Sequence, residues 1–457
     1  MPSKTDIWPH CVFRCFRMKE KLKYGLEDHV PKGEFFVYTL QHIIYFAAGT
    51  VVLPIAVGIH LGLEQIQIAE LLQRTFFLCG VTTLLQIKLG HLYPIIDGPA
   101  GLWASMMIVM AVSTADMGGQ MGDLRRNLEL GILIAGTIIM VLAATGLMLK
   151  LSRLFTPIVN GLIITLMVLQ MSATFMKGGL GIDDEVQEIE VKKLIVFMAT
   201  MLTIIFVSVY LKGFIQSIAT LVGVTLGWIL AILLGLSENK MTIGALARAP
   251  ELFAFGAPSF NPGVVISCVL SALVLLSMSF ASLFSMAEAV GEQVSKGKLS
   301  KTVFLHGLST LLSGLFSVVP FMPFVSSTGV VLMTRVAARK PFMAACLCMV
   351  LFGIFSPVAE FFASMPHTVA YATSMVVFSL IFGQGLKEFK KVTIENRESY
   401  VIGISMLCGM GVMFLPDSVF SVLPQSIRFI LSNGLVVGTV MAMILEQIFR
   451  KGSDKLS

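Results

Sequence analysis

The sequence predicts an all-α polytopic membrane protein of fourteen transmembrane segments, and three observations carry that prediction. Of 457 residues, 56% are hydrophobic and 13% charged, where a soluble domain carries about 25% charge. The apolar residues gather into runs close to the roughly 20 residues that a spanning helix needs: 36–58, 67–87, 99–114, 129–150, 154–176, 193–212, 216–236, 265–291, 302–320, 328–338, 342–364, 368–386, 399–416 and 426–448. Two of these runs, the third of the first seven and the third of the second seven, are short, and each follows a proline-broken stretch.

Residues 1–34 are charged and contain no apolar core followed by a small-residue cleavage site, so no removable signal peptide is expected and the first run inserts and stays. The sixth and seventh runs are separated only by YLKGF, residues 210–214. Lysines and arginines concentrate in alternate loops, with Lys88, Lys150, Arg153, Lys212, Lys296, Lys298, Arg339 and Lys387 on the N-terminal side of the membrane. Fewer fall on the other side, among them Arg74, Arg125, Arg126, Lys177 and Arg248, together with the acidic run GIDDEVQEIE at 181–190. The positive-inside rule makes the richer side cytoplasmic, with both termini there.

The short third and tenth runs follow HLYPIIDGPAG at 91–101 and VVPFMPFVSSTG at 318–329. Pro94, Pro99, Pro320 and Pro323 remove backbone donors and keep these stretches out of a helix. A short strand is therefore expected before each half-helix. Irregular backbone at membrane depth survives only where protein or a watery cavity satisfies it. Paired broken helices in matching positions of two halves are the mark of an inverted-repeat transporter with its site at the breaks.

Glu288 and Glu292 stand four residues apart at the end of the eighth run, one helical turn from each other on a single face. A charge at the bilayer centre costs at least ~2.5 kcal/mol, so such residues face a cavity or a partner. Burial and a like-charged neighbour both favour a neutral carboxyl, so one of the pair is expected to carry or gate a proton while the other grips the substrate. Ser326, Ser327 and Thr328 offer hydroxyls to a ligand and also suit a helix cap.

Several classes are excluded. No basic stripe interleaved with aromatics suggests nucleic acid, and no phosphate loop, metal-ligand cluster or nucleophile with its base is present, so no enzyme, cofactor or metal is expected. His10, Cys11 and Cys15 lack a second ligand pair, and the seven cysteines form no disulfide framework.

LQHIIYFAAGTVVLPIAVG (40–58), CGVTTLLQIKLGHLYPIIDGP (79–99), FASLFSMAEAVGE (280–292) and HGLSTLLSGLFSVVPFMPFVSSTGVVLMTRVAAR (306–339) resemble, in this order, signature regions of the nucleobase/ascorbate transporter family, of the xanthine/uracil permease type. The resemblance includes the pair Gln41-His42 in the first segment, Glu288 in the eighth, and Gly329 to Thr334 followed by Arg335 in the tenth. It implies fourteen segments in two inverted repeats of seven. A core domain would comprise residues 35–150 and 262–365, and a gate domain residues 151–240 and 366–449, between a cytoplasmic N-terminal segment, 1–34, and a cytoplasmic tail, 450–457.

It further implies a multi-pass plasma-membrane protein, a homodimer, that imports a purine-type nucleobase such as xanthine or uric acid by proton symport. Glu288 would grip the base beside Ala100, Gly101, Ser326, Ser327, Thr328 and Gly329, with backbone donors near Ala100 and Gly329. Glu292 would serve as proton site, and Gln41 and His42 would organise the Glu288 network. Departures from the family pattern are Ser326-Ser327 in place of Gln or Glu followed by Asn, His306 in place of an aspartate before Gly307, and Ala100-Gly101 in place of Ser and an aromatic. The last is expected to leave a roomier pocket that favours a purine over uracil. The alternatives are an anion transporter or exchanger on the same fold, and a uracil permease.

Overall fold

The computed structural model describes residues 22–147, 156–182, 188–236, 246–416, 419–420, 431 and 433–453. Most of the N-terminal segment, with His10, Cys11 and Cys15, and the end of the tail lie outside the described residues, as do parts of the loops at 148–155, 183–187 and 237–245.

The first segment is two helices, α1 (Lys32–Thr50) and α2 (Val52–His60). Pro54 explains the break, because its ring clashes with the carbonyl of Thr50 and it has no N–H to bond it. α3 (Gln65–Leu89) opens with a capping box between Glu64 and Gln67. The strand β1 (Asp97–Pro99) then leads into α4 (Gly101–Asp116). α5 (Met121–Thr145) stops at Gly146, whose φ of 68° is open to glycine. α6 (Pro157–Leu180) follows, its N-cap Thr156 accepting from the Val159 N–H.

The sixth and seventh predicted runs are α7 (Val191–Tyr210) and α9 (Ala219–Leu233), parted by the four-residue α8 (Phe214–Ser217). Gly213, at φ 72°, makes the turn inside YLKGF. In the second half stand α10 (Pro262–Val290), α11 (Lys296–Leu315), the strand β2 (Phe321–Pro323) and α12 (Ser326–Thr334). The run expected at 342–364 is divided into α13 (Arg339–Phe352) and α14 (Ser356–Ala363). Pro357 cannot continue a helix, and the loop from 246 inserts there, with Arg248 N–H donating to the Ile354 carbonyl and Ser356 N–H to that of Leu246. α15 (His367–Phe389), α16 (Asn396–Met413) and α17 (Gly434–Ser453) complete the chain.

Among the described residues, seven helical stretches are long and apolar enough to cross a bilayer, and the shorter apolar helices are Gly101–Ala115, Ala219–Leu233 and Gly434–Phe449. The chain is a mostly helical, multi-pass membrane protein. The helices pack in two sets. In one, α5 lies on α10 and α11, and α13 lies on α1 and α3; in the other, α15 lies on α6 and α7, and α16 on α17. α2 and α4 bridge them, touching α15 and α6 respectively.

The two strands join the halves. β1 and β2 pair antiparallel in the register Asp97 with Pro323, Gly98 with Met322 and Pro99 with Phe321. The ladder is extended by Ala100 N–H to the Pro320 carbonyl at 2.9 Å and Phe324 N–H to that of Ile96 at 2.8 Å. The prolines deny these stretches a helix, and each strand supplies the backbone partners the other lacks in the interior.

Candidate substrate site

The strand pair brings the N-termini of α4 and α12 together, although 225 residues separate Gly101 from Ser326. Three neighbours fasten this crossing. Tyr45 of α1 donates its hydroxyl to Ser326 Oγ at 2.6 Å. Ile96 N–H donates to Ser327 Oγ at 3.1 Å. Ser282 of α10 donates to the Pro323 carbonyl at 2.6 Å.

The two ends of the crossing differ in access. At α12, Ser326 is exposed, and a Cβ placed on Gly329 would meet nothing within 4 Å. At α4, Ala100 and Gly101 are buried, and a Cβ on Gly101 would lie 2.5 Å from Ile381 Cδ1 of α15. The space that Ala100-Gly101 was expected to leave for a ligand is therefore filled by Ile381. The Phe324 ring covers the strand, since a Cβ on Gly98 would stand 2.5 Å from its Cζ and one on Gly49 2.6 Å from its Cε2.

The expected backbone donors are also redistributed. Ala100 N–H is taken by Pro320, and the N–H groups of Ser327 and Thr328 are taken by the carbonyls of Phe324 and Val325. In α4, the N–H groups of the first turn, from Gly101 onward, have no intrahelical acceptor.

Glu288 lies in the last turn of α10, exposed and without a hydrogen bond or ion pair to its side chain among the described residues. It shares a face with exposed Ala281 and Phe284, while Leu283, Met286 and Ala287 pack on the other face against Tyr93, Ile95 and Val331. Glu292 does not continue this face. The helix ends at Val290, Gly291 turns the chain at φ 75°, and Glu292 N–H bonds back to the Ala287 carbonyl. The one-turn relation expected of the two glutamates is lost at that glycine.

Glu292 instead accepts from Tyr93 Oη at 2.9 Å and Lys298 Nζ at 3.0 Å. Lys298 also sits 3.9 Å from the centre of the Tyr93 ring. Burial alone would raise the Glu292 pKa, but the hydrogen bonds of Lys298 and Tyr93 and the charges of Lys298 and Arg339 hold it below the ordinary carboxylate value.

His42 is buried with its ring edge-on to Phe342, 5.1 Å between centroids, and its Nδ1 has no partner among the described residues. Gln41 is half-buried, one turn before Tyr45 on the same face of α1. Sequence reasoning missed Tyr45, Phe324 and Asp97. For Tyr45 the helical spacing from Gln41 was a usable signal; for Asp97 it was a charge inside an apolar run. No group of three or more metal-ligating side chains occurs among the described residues.

The profile of the Permease family, that of the xanthine/uracil permeases, matches residues 33–418. YwdJ of Bacillus subtilis (strain 168), whose name assigns it provisionally to the purine permeases, is 30% identical over 429 residues, covering 91% of this chain and 97% of its own. The xanthine permease of the same organism is 26% identical, covering 91% of this chain and 94% of its own. The transmembrane domain of a cyanobacterium bicarbonate transporter, BicA, superposes with a TM-score of 0.62 at 15% identity, covering 92% of this chain and 100% of that one, a likeness of fold alone. With a profile match over most of its length and relatives aligned nearly end to end, the chain belongs to the Permease family and is a membrane transport protein, not an enzyme.

Proposed function

We propose that the protein imports a purine-type nucleobase, such as xanthine or uric acid, by proton symport with alternating access. The observation that carries this reading is the strand-linked pair of half-helix N-termini, open beside Ser326 and Gly329, with the unpaired carboxylate of Glu288 on the exposed face of α10. A base of this class presents N–H donors beside carbonyl acceptors. Glu288 accepts from its N–H groups with charge-assisted strength; the first-turn N–H groups of α4 and the hydroxyls of Ser326 and Thr328 donate to its carbonyls. Phe324 offers its ring face, with Ala100, Gly101, Ser327 and Gly329 shaping the pocket. Gln41 and His42 stand behind the site as organisers, through Tyr45 and Phe342. The names of the relatives support a purine over an inorganic anion, and no cationic side chain stands at either break.

In this reading the first helix set, residues 35–150 and 262–365, is a core that moves against a gate of residues 151–240 and 366–449. The separate packing of the two sets and the contact of Gly101 with Ile381 across them support it. Glu292, ionised and held by Lys298 and Tyr93, accepts a proton at the cytoplasmic end once Lys298 parts from it. The protein works as a plasma-membrane homodimer with both termini cytoplasmic. The test is uptake of labelled xanthine, uric acid, hypoxanthine, guanine and uracil into proteoliposomes with and without an inward proton gradient. Gradient-stimulated uptake of a purine supports the reading; uptake of none by folded protein sinks it.

A further inference from the structure

One ionisable group at the crossing is used by nothing described so far. Asp97, the first residue of β1, has no exposed surface, and neither carboxyl oxygen has a hydrogen-bond partner among the described residues. Its backbone is fully occupied. Its N–H donates to Thr83 Oγ1 at 3.0 Å, and its carbonyl accepts from Cys79 Sγ at 2.8 Å. Strand alternation sets its side chain opposite Gly98, which faces Phe324, so the carboxyl lies behind the ligand side of the strand.

The elements packed on β1 are α1, α3 and β2. The titratable groups within electrostatic reach are the thiols of Cys79 on α3 and, beyond it, Cys346 on α13. α1 carries Tyr45, whose hydroxyl goes to Ser326, and His42, which packs edge-on to Phe342, and β2 carries no titratable residue. A carboxylate there would be a buried charge with neither counter-charge nor donor among the described residues, an arrangement folded proteins avoid. A sodium ion is a poor occupant, because a hard cation needs a shell of oxygens and the named neighbours on α3 and α13 offer two thiols and the single Thr83 hydroxyl, which already accepts from the Asp97 N–H. The form that fits is the neutral acid.

We propose that Asp97 is a second proton site of the coupling pathway, deeper in the fold than Glu292. This rests on the symport reading above and adds a residue to it. In the conformation described, the carboxyl holds one proton; when the β1–α4 corner opens to water, the O–H bond breaks, the proton leaves to solvent and the carboxylate is hydrated. Reprotonation closes the corner again. Because β1 runs directly into the first turn of α4, the ligand and the proton favour the same packed corner, and this is the physical basis of coupling.

The test uses purified full-length protein in proteoliposomes and the variant Asp97→Asn, which mimics the neutral acid without a releasable proton. Expected are retained exchange of labelled against unlabelled base, lost accumulation under a proton gradient, and a flattened pH profile. A merely structural role would instead reduce exchange and accumulation together, and that result overturns the proposal, as does wild-type accumulation by the variant. Infrared difference spectra on shifting pH add a readout that needs no transport. The carbonyl stretch of a neutral carboxylic acid is expected in wild type, shifted in Asp97→Glu and absent from Asp97→Asn. If Asp97→Asn does not fold, Asp97→Glu decides: a displaced pH profile with coupling intact supports the proposal, an unchanged profile and band overturn it. Wild-type uptake of a base with no response to the gradient would sink the symport reading and the coupling role with it, while the infrared band would still report the proton on Asp97.

Discussion

Tyr45 and Ser326 are 281 residues apart in the chain and 2.6 Å apart at their hydroxyls, and the candidate site is assembled from contacts of that kind. Glu288 differs from the residues around it in holding no side-chain partner among the described residues. An exposed carboxylate without a partner contributes little to folding, so Glu288→Gln is expected to leave the melting temperature unchanged while abolishing uptake of the base. A parallel loss of thermal stability would mean that the residue is structural. For Glu292 the sign runs through linkage. Its folded-state pKa lies below the unfolded value, so its stabilisation is present above the ordinary carboxylate pKa of about 4.3 and is lost as pH falls through the depressed value. With the side chain 43% exposed, the contribution is at most about 1 kcal/mol. Melting curves of wild type and Glu292→Gln are expected to differ slightly at pH 7 and to coincide in acid.

At the scale of elements, two glycines with opposite surroundings make opposite predictions. α5 and α11 approach so closely that a Cβ on Gly136 would stand 2.4 Å from the Leu311 nitrogen, and one on Gly307 2.8 Å from that of Met140. Small residues permit such contact within membranes. Gly136→Leu is expected to part these helices and to abolish monodisperse, folded protein on size-exclusion chromatography. Gly329 meets nothing, so Gly329→Val is expected to fold normally and to weaken ligand binding, as read by loss of ligand-dependent thermal stabilisation. Element ends were unevenly legible. YLKGF marked the division of α7 from α9 because glycine supplies its positive φ locally, whereas the division of α13 from α14 owes much to the loop from 246 that inserts between them. The end of α10 at Gly291 removed a pairing of Glu288 with Glu292 that spacing alone supported.

At the scale of the molecule, Gly101 against Ile381 closes one end of the crossing while Gly329 leaves the other open. If transport requires the two helix sets to slide past each other, Gly101→Cys combined with Ile381→Cys is expected to lose uptake on oxidation and to regain it on reduction. Uptake unaffected by a demonstrated cross-link would count against movement at this contact. Membrane class, the apolar runs and a short strand before each half-helix were readable in the chain, because hydropathy and proline act over a few residues wherever the chain goes, whereas the pairing of the two strands was not. Which end of the site is open, what fills the room beside Gly101, and that the Asp97 carboxyl has no partner among the described residues depend on residues hundreds of positions apart. Burial and hydrogen bonding are properties of the packed helices, and neighbours in the chain do not encode them.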